Sequence, residues 1–137
     1  MIQLIEELNI STAKDKFINI TDQIFDILAK FKLKKGLLNL TILHTSASLM
    51  VQENADPTVL KDIQHYLDKI VPEGNYFHNT EGPDDMPAHL KSLLTNTSLT
   101  LTVSDGQLVL GTWQGIFLME HKRVGKIRKI LFHFLGE

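Results

Sequence analysis

The apolar and polar positions of this chain change period several times, and each change marks an element. Leu4, Leu8 and Ile10 fall at even positions, interrupted by Glu6, and the short run Phe17-Ile18-Asn19-Ile20 follows; both read as strands. From Thr21, a candidate N-cap, Ile24, Phe25, Leu28 and Phe31 recur at helical spacing until Lys34-Lys35-Gly36, which predicts an amphipathic helix lying on a sheet. Leu37 to Leu43 is apolar on both faces, as a buried strand is, and it runs into the polar cluster His44-Thr45-Ser46-Ala47-Ser48. Asp56-Pro57 opens a second helix, with Leu60, Ile63, Leu67 and Ile70 as its buried stripe and Pro72 and Gly74 as its stop.

Residues 73 to 88 hold too many turn formers for a regular element, and they read as an ordered functional loop. Pro87 is predicted to open a short helix through Leu94, with Asp85 or Met86 in the cap region. Leu90, Leu93 and Leu94 then form its apolar face, and His89 lies in its first turn. The last third is strand-like: Ser98 to Val103, the turn pair Asp105-Gly106, Gln107 to Leu110, Thr112 to Glu120, and Ile127 to Leu135 with Ile130, Phe132 and Phe134 on one face. Strands that do not alternate regularly with helices point to an α+β class. The expected architecture is a mainly antiparallel β-sheet sandwich with two or three packed helices, in one domain over residues 1–137, and not a doubly wound nucleotide fold.

Composition narrows the function. With 14 Lys+Arg against 16 Asp+Glu there is no excess of positive charge to neutralise phosphates in a row, so no nucleic-acid partner is expected. The acidic amino terminus lacks a basic segment and a following apolar run, so no membrane is expected and the cytoplasm is the expected compartment. The chain has no Cys, which leaves imidazoles and carboxylates as metal ligands.

Of six histidines, His44, His78 and His89 lie in polar loop or helix-start contexts where they can converge on a cleft. His65, His121 and His133 read as surface or packing residues. Three converging imidazoles would hold a divalent ion, zinc or magnesium, with a position left for substrate. An imidazole in the first turn of a helix is biased toward its neutral, ligating form. Spacing alone leaves open three separate polar histidines. Glu53, Asn54 and Asp56 crowd one helix entrance, and Glu81, Asp84 and Asp85 another; these are acid/base or metal candidates, or else caps and solvated charge. Two helix starts near one cleft favour an anionic substrate, with Thr45 and Ser46 hydroxyls as donors to its oxygens. In Leu110-Gly111-Thr112-Trp113-Gln114-Gly115-Ile116 the glycines allow either a ligand's close approach, with Gln114 orienting it, or a bulge that packs Trp113. Glu120 is a buried acid or the first exposed residue after its strand. Phosphate loops, nucleophile elbows and zinc-protease helices are absent.

Together, His44-Thr45-Ser46-Ala47-Ser48-Leu49, Glu53-Asn54-Ala55-Asp56-Pro57, Glu81-Gly82-Pro83-Asp84-Asp85-Met86-Pro87-Ala88-His89 and Leu110-Gly111-Thr112-Trp113-Gln114-Gly115 closely resemble the YjbQ family, described as a secondary thiamine-phosphate synthase. The resemblance implies an α+β fold, a homotrimer, and a pocket rich in His and acids at subunit boundaries. It also implies pyrophosphate displacement from an aminopyrimidine methyl diphosphate by a thiazole phosphate nitrogen. On this reading His44, His89 and His78 hold the metal, Glu53, Asp85 and Glu120 are acid/base groups, and Thr45, Ser46, Asn54, Lys91 and Gln114 bind a phosphorylated small molecule. The rival reading is a noncatalytic trimeric metal- or metabolite-binding module. The sequence departs from the family pattern in the basic turn His121-Lys122-Arg123-Val124-Gly125-Lys126, which leaves Arg128 either an anion contact or part of a basic surface.

Overall fold

The structure, a computed structural model, describes residues 1–137. Every strand pair in it is antiparallel, as the absence of regular crossover helices requires. One sheet runs β1 (Ile2–Ser11), β8 (Ile127–Gly136), β3 (Gly36–Ile42), β5 (Ser98–Ser104) and β6 (Gln107–Leu108). The other runs β2 (Phe17–Asn19), β7 (Gln114–Glu120) and β4 (Ala47–Glu53). Three helices, α1 (Thr21–Lys30), α2 (Pro57–Ile70) and α3 (Asp85–Leu94), complete the α+β architecture. No helix is long and apolar enough to cross a membrane.

Both sheets share one core. Leu38, Leu40, Ile42, Ile130, Phe132 and Phe134 from the larger sheet meet Leu49, Ile116 and Leu118 from the smaller, together with Ile24 and Leu28 of α1. The Asp105-Gly106 hairpin forms as predicted, both residues having positive φ (52° and 76°), the requirement of the tight turn that matches strand twist.

Strand β4 was not foreseen, because its pattern is not alternating. Leu49 faces the shared core while its neighbour Met50 packs with Phe117 and Met119 against Leu60 and Ile63 of α2, so the small sheet is apolar on both faces. Helix α3 also departs from expectation. It starts at Asp85, two residues before Pro87, which places His89 just beyond the first turn. Its buried positions are largely polar: Asp85, Lys91 and Ser92 are buried beside Pro87 and Ala88, whereas Leu93 and Leu94, predicted to pack, are exposed. Each inward polar group has a partner, Ser92 Oγ donating to the Ala47 carbonyl at 3.1 Å, and those partners hold the helix in this rotation.

Candidate functional site

Helical spacing sets the site. Asp85 and His89 are one turn apart on the same face of α3, and the loop after α2 returns His78 to that face. Asp85 Oδ2 lies 2.6 Å from His78 Nε2 and 3.2 Å from His89 Nε2, and the two rings meet edge to face with centroids 5.5 Å apart. All three ligand atoms lie within 4.8 Å of one another. A tetrahedral ion at ordinary bond lengths needs its ligands about 3.4 Å apart, so small side-chain rotations suffice.

The surrounding groups orient this set. His89 Nδ1 donates to the Thr45 carbonyl at 2.9 Å, which leaves Nε2 turned toward Asp85. With acceptors at both ends, this imidazole is satisfied by a second proton or by a cation in its place. On the other side of Asp85, Lys122 Nζ donates to Oδ1 at 2.8 Å and also reaches Asp84 Oδ1 at 3.3 Å. Hydrogen bonds from Lys122 and then His78 hold the Asp85 carboxyl far below the usual carboxylate range, so it is ionised, able to face a cation and a poor proton carrier. Glu81 Oε2, 3.2 Å from His78 Nε2, is the nearest further carboxylate.

The predicted ligand trio therefore changes by one member. His78 and His89 converge, but His44 does not join them: its Nε2 accepts the Lys129 backbone N–H at 2.8 Å. Burial and then Arg128 lower its pKa, which keeps the ring neutral in that structural role. Asp85, expected as an acid/base group, stands in the third place.

Other nominated residues are dispersed. Thr45 contributes its carbonyl, and Ser46 is buried with its Oγ accepting from Arg128 Nη2 at 3.0 Å, so it is not free to hold phosphate. Glu120 is fully buried. Thr12 Oγ1 and Arg128 Nε donate to its Oε1 at 2.6 and 2.9 Å, and Arg128 Nη2 and the Lys122 N–H donate to Oε2. Burial pushes the Glu120 pKa up, but the bonds from Arg128 and Thr12 outweigh it and hold the group below its ordinary value. It is a structural anion, and Arg128 is its partner, neither an anion contact nor part of a basic surface. Lys91 lies on another side of α3 and donates to Asp68 at 2.6 Å.

Glu53, Asn54 and Gln114 gather at the far end of the β4–β7 ladder. Glu53 pairs with Gln114 in a register that begins with Ala47 and Glu120, about 20 Å away along the strands. There Gln114 Oε1 accepts the Gly111 N–H at 2.7 Å and closes a turn, Glu53 accepts the Asp56 N–H at 3.3 Å, and Trp113 is exposed. His121, read as a surface or packing residue, takes the packing alternative: it is buried, with Nε2 2.8 Å from Ser48 Oγ.

The chain matches the family model described as UPF0047 protein YjbQ-like over residues 6–137. It is 46% identical over 132 residues to UPF0047 protein YjbQ of Escherichia coli O157:H7, covering 95% of this chain and 96% of that protein. A Synechocystis UPF0047 protein is 44% identical over 134 residues, with 96% and 91% coverage. Among solved structures, a YbjQ-like protein from Sulfolobus solfataricus superposes with a TM-score of 0.88 at 27% identity, covering 98% of each chain. A conserved hypothetical protein from Thermus thermophilus gives 0.83 at 36% identity, covering 95% of this chain and 99% of that one. Matched along nearly its whole length in sequence and in fold, the chain belongs to the YjbQ (UPF0047) family.

Proposed function

We propose that His78, Asp85 and His89 hold a divalent cation and that the protein is a metal-assisted enzyme acting on a small phosphorylated substrate. The observation that carries this reading is the convergence of two imidazole Nε2 atoms on one oxygen of an ionised carboxylate, with the His89 ring fixed by the Thr45 carbonyl. The donor set of two nitrogens and one oxygen suits zinc better than magnesium, which prefers oxygen throughout. When bound, such an ion withdraws charge from a phosphoryl oxygen. The chain's own contribution is orientation: Lys122 keeps Asp85 ionised and occupies its second oxygen, leaving Oδ2 as the single donor.

The reaction we assign is the one the family resemblance implies. The thiazole phosphate nitrogen forms a C–N bond to the aminopyrimidine methyl carbon as the C–O bond to pyrophosphate breaks, giving thiamine phosphate as a secondary activity. The homotrimer belongs to the same proposal, as the assembly that would bring Glu53, Asn54 and Gln114, at the far end of the β4–β7 ladder, to the histidines of a neighbouring chain. A second reading, a noncatalytic trimeric metal- or metabolite-binding module, is favoured by one observation: Glu120, expected as an acid/base group, is fully engaged in structural bonds.

Elemental analysis combined with a turnover assay separates the two. Wild-type protein carries about one zinc per chain, and His89→Ala and Asp85→Asn lose both zinc and thiamine phosphate formation. Zinc retained by both variants overturns the metal site. Zinc lost from the variants, with no product from the wild type, supports the binding module.

A further inference from the structure

Helix α3 borders a cavity on a second side. Pro87 and Lys91 lie two residues beyond Asp85 and His89, roughly 200° around the helix axis. They line a cavity of about 440 Å³, most of whose lining residues are polar or charged. Lys16, Lys91 and His121 meet in this wall, and none of them belongs to the His78–Asp85–His89 group.

The charges around the cavity are unevenly matched. Glu120 is committed to Arg128, and Asp84 accepts from Lys122 and from the Arg123 N–H. Arg123 is paired with Glu73. Lys16 has no carboxylate at ion-pair distance; its ammonium donates to the neutral Lys122 carbonyl. Burial lowers the Lys16 pKa against the more distant pull of Glu120 and Asp84, which marks an ammonium stripped of part of its water without receiving a counter-ion. Lys91 does have a partner, but Asp68 is more than half exposed, and a bridge to a solvated carboxylate yields readily to a competing anion.

His121 adds a neutral ring, whose Nε2 is held 2.8 Å from Ser48 Oγ. Burial and then Lys91 push its pKa down to about 4, so the ring carries no charge near neutral pH. Lys91, Arg128 and Lys16 act on it in the same sense, and Glu120 opposes them.

We propose that this cavity is a binding site for the oxyanion group, phosphate or carboxylate, of a small metabolite, held by Lys16, Lys91 and His121 and independent of the metal group. The anion supplies the counter-charge that Lys16 lacks, and the volume accommodates the rest of a small molecule. The proposal does not rest on the function assigned above, since no ligand atom is shared.

The test is calorimetric titration of the protein with inorganic phosphate and, separately, with acetate, at constant ionic strength, while the ring resonances of His121 are followed by NMR. One of the two anions binds saturably at one site and shifts the His121 signals. Lys16→Met and Lys91→Met each weaken binding about tenfold or more, Lys16→Arg retains it, and His89→Ala binds as the wild type does. Circular dichroism confirms that the variants are folded. The proposal is overturned if neither anion saturates, if Lys16→Met binds unchanged, or if His89→Ala abolishes binding, which would place the anion at the histidine group.

Discussion

Replacing Glu120 with Gln tests the buried ion pair on which the end of β7 is built. Its side chain is fully enclosed and that of Arg128 is 3% exposed. The carboxylate accepts from Thr12, from two nitrogens of Arg128 and from the Lys122 N–H. An amide keeps one acceptor, turns an NH2 toward existing donors and leaves the guanidinium without a counter-ion. Breaking one side of a buried pair costs about 3–5 kcal/mol, out of a margin of about 5–15 kcal/mol for a domain of this kind. For a chain of this length that lowers Tm by roughly 10–20 °C. Urea unfolding followed by circular dichroism reads the loss directly, with the midpoint shifting and the slope constant. The double variant Glu120→Gln/Arg128→Met removes the stranded charge and recovers much of the stability. A single-variant loss under about 1 kcal/mol, or simple additivity in the double variant, refutes the pair.

Four further outcomes follow from the same structure. The His121 pKa is about 4 in the folded chain against an ordinary 6.5. The unfolded chain therefore takes up the proton first, and stability falls as the pH drops from about 6.5 to about 4 and levels below, by roughly 3 kcal/mol in all. Unfolding midpoints across that range show this slope, and a slope of equal size in His121→Gln would assign it elsewhere. Lys122→Met strands two largely buried carboxylates and destabilises by about 2–4 kcal/mol, measured by urea unfolding; a loss indistinguishable from zero contradicts their shared ion pair. Phe132→Ala, at a fully buried site shared by both sheets, costs about 3–5 kcal/mol in the same measurement. Gln114→Ala frees the Gly111 N–H at an exposed turn and costs about 1 kcal/mol or less, with zinc content unchanged.

Much of this arrangement is legible in the residues alone, and the exceptions have physical causes. Period-2 runs, the Asp-Pro helix start and the Asp-Gly turn identify β1, α2 and the β5–β6 hairpin because each depends on neighbours in sequence. Strand β4 escapes because burial on both faces erases alternation. His78 and His89 are picked out, together with His44, by their polar surroundings. The exchange of His44 for Asp85 is not, since it depends on a backbone N–H from Lys129, 85 residues away. The segment His121 to Lys126 reads as a basic turn, with Arg128 an anion contact or part of the same surface, yet Lys122 and Arg128 are drawn inward by Asp84, Asp85 and Glu120. Charge counted along a sequence carries no information about which carboxylate the fold brings beside it.

The enclosure of Lys122 between two carboxylates also decides how its amine reacts. Its side chain is 11% exposed, while that of Lys129 is 57% exposed, so an acylating reagent applied to the folded protein marks Lys129 and spares Lys122. Trypsin, which must draw a basic side chain into its own pocket, is likewise directed past Lys122 to the protruding Arg123. Acylation of Lys122 then proceeds only as fast as Asp84 and Asp85 swing clear, which makes that one amine a clock for the opening of the segment that carries the histidine pair.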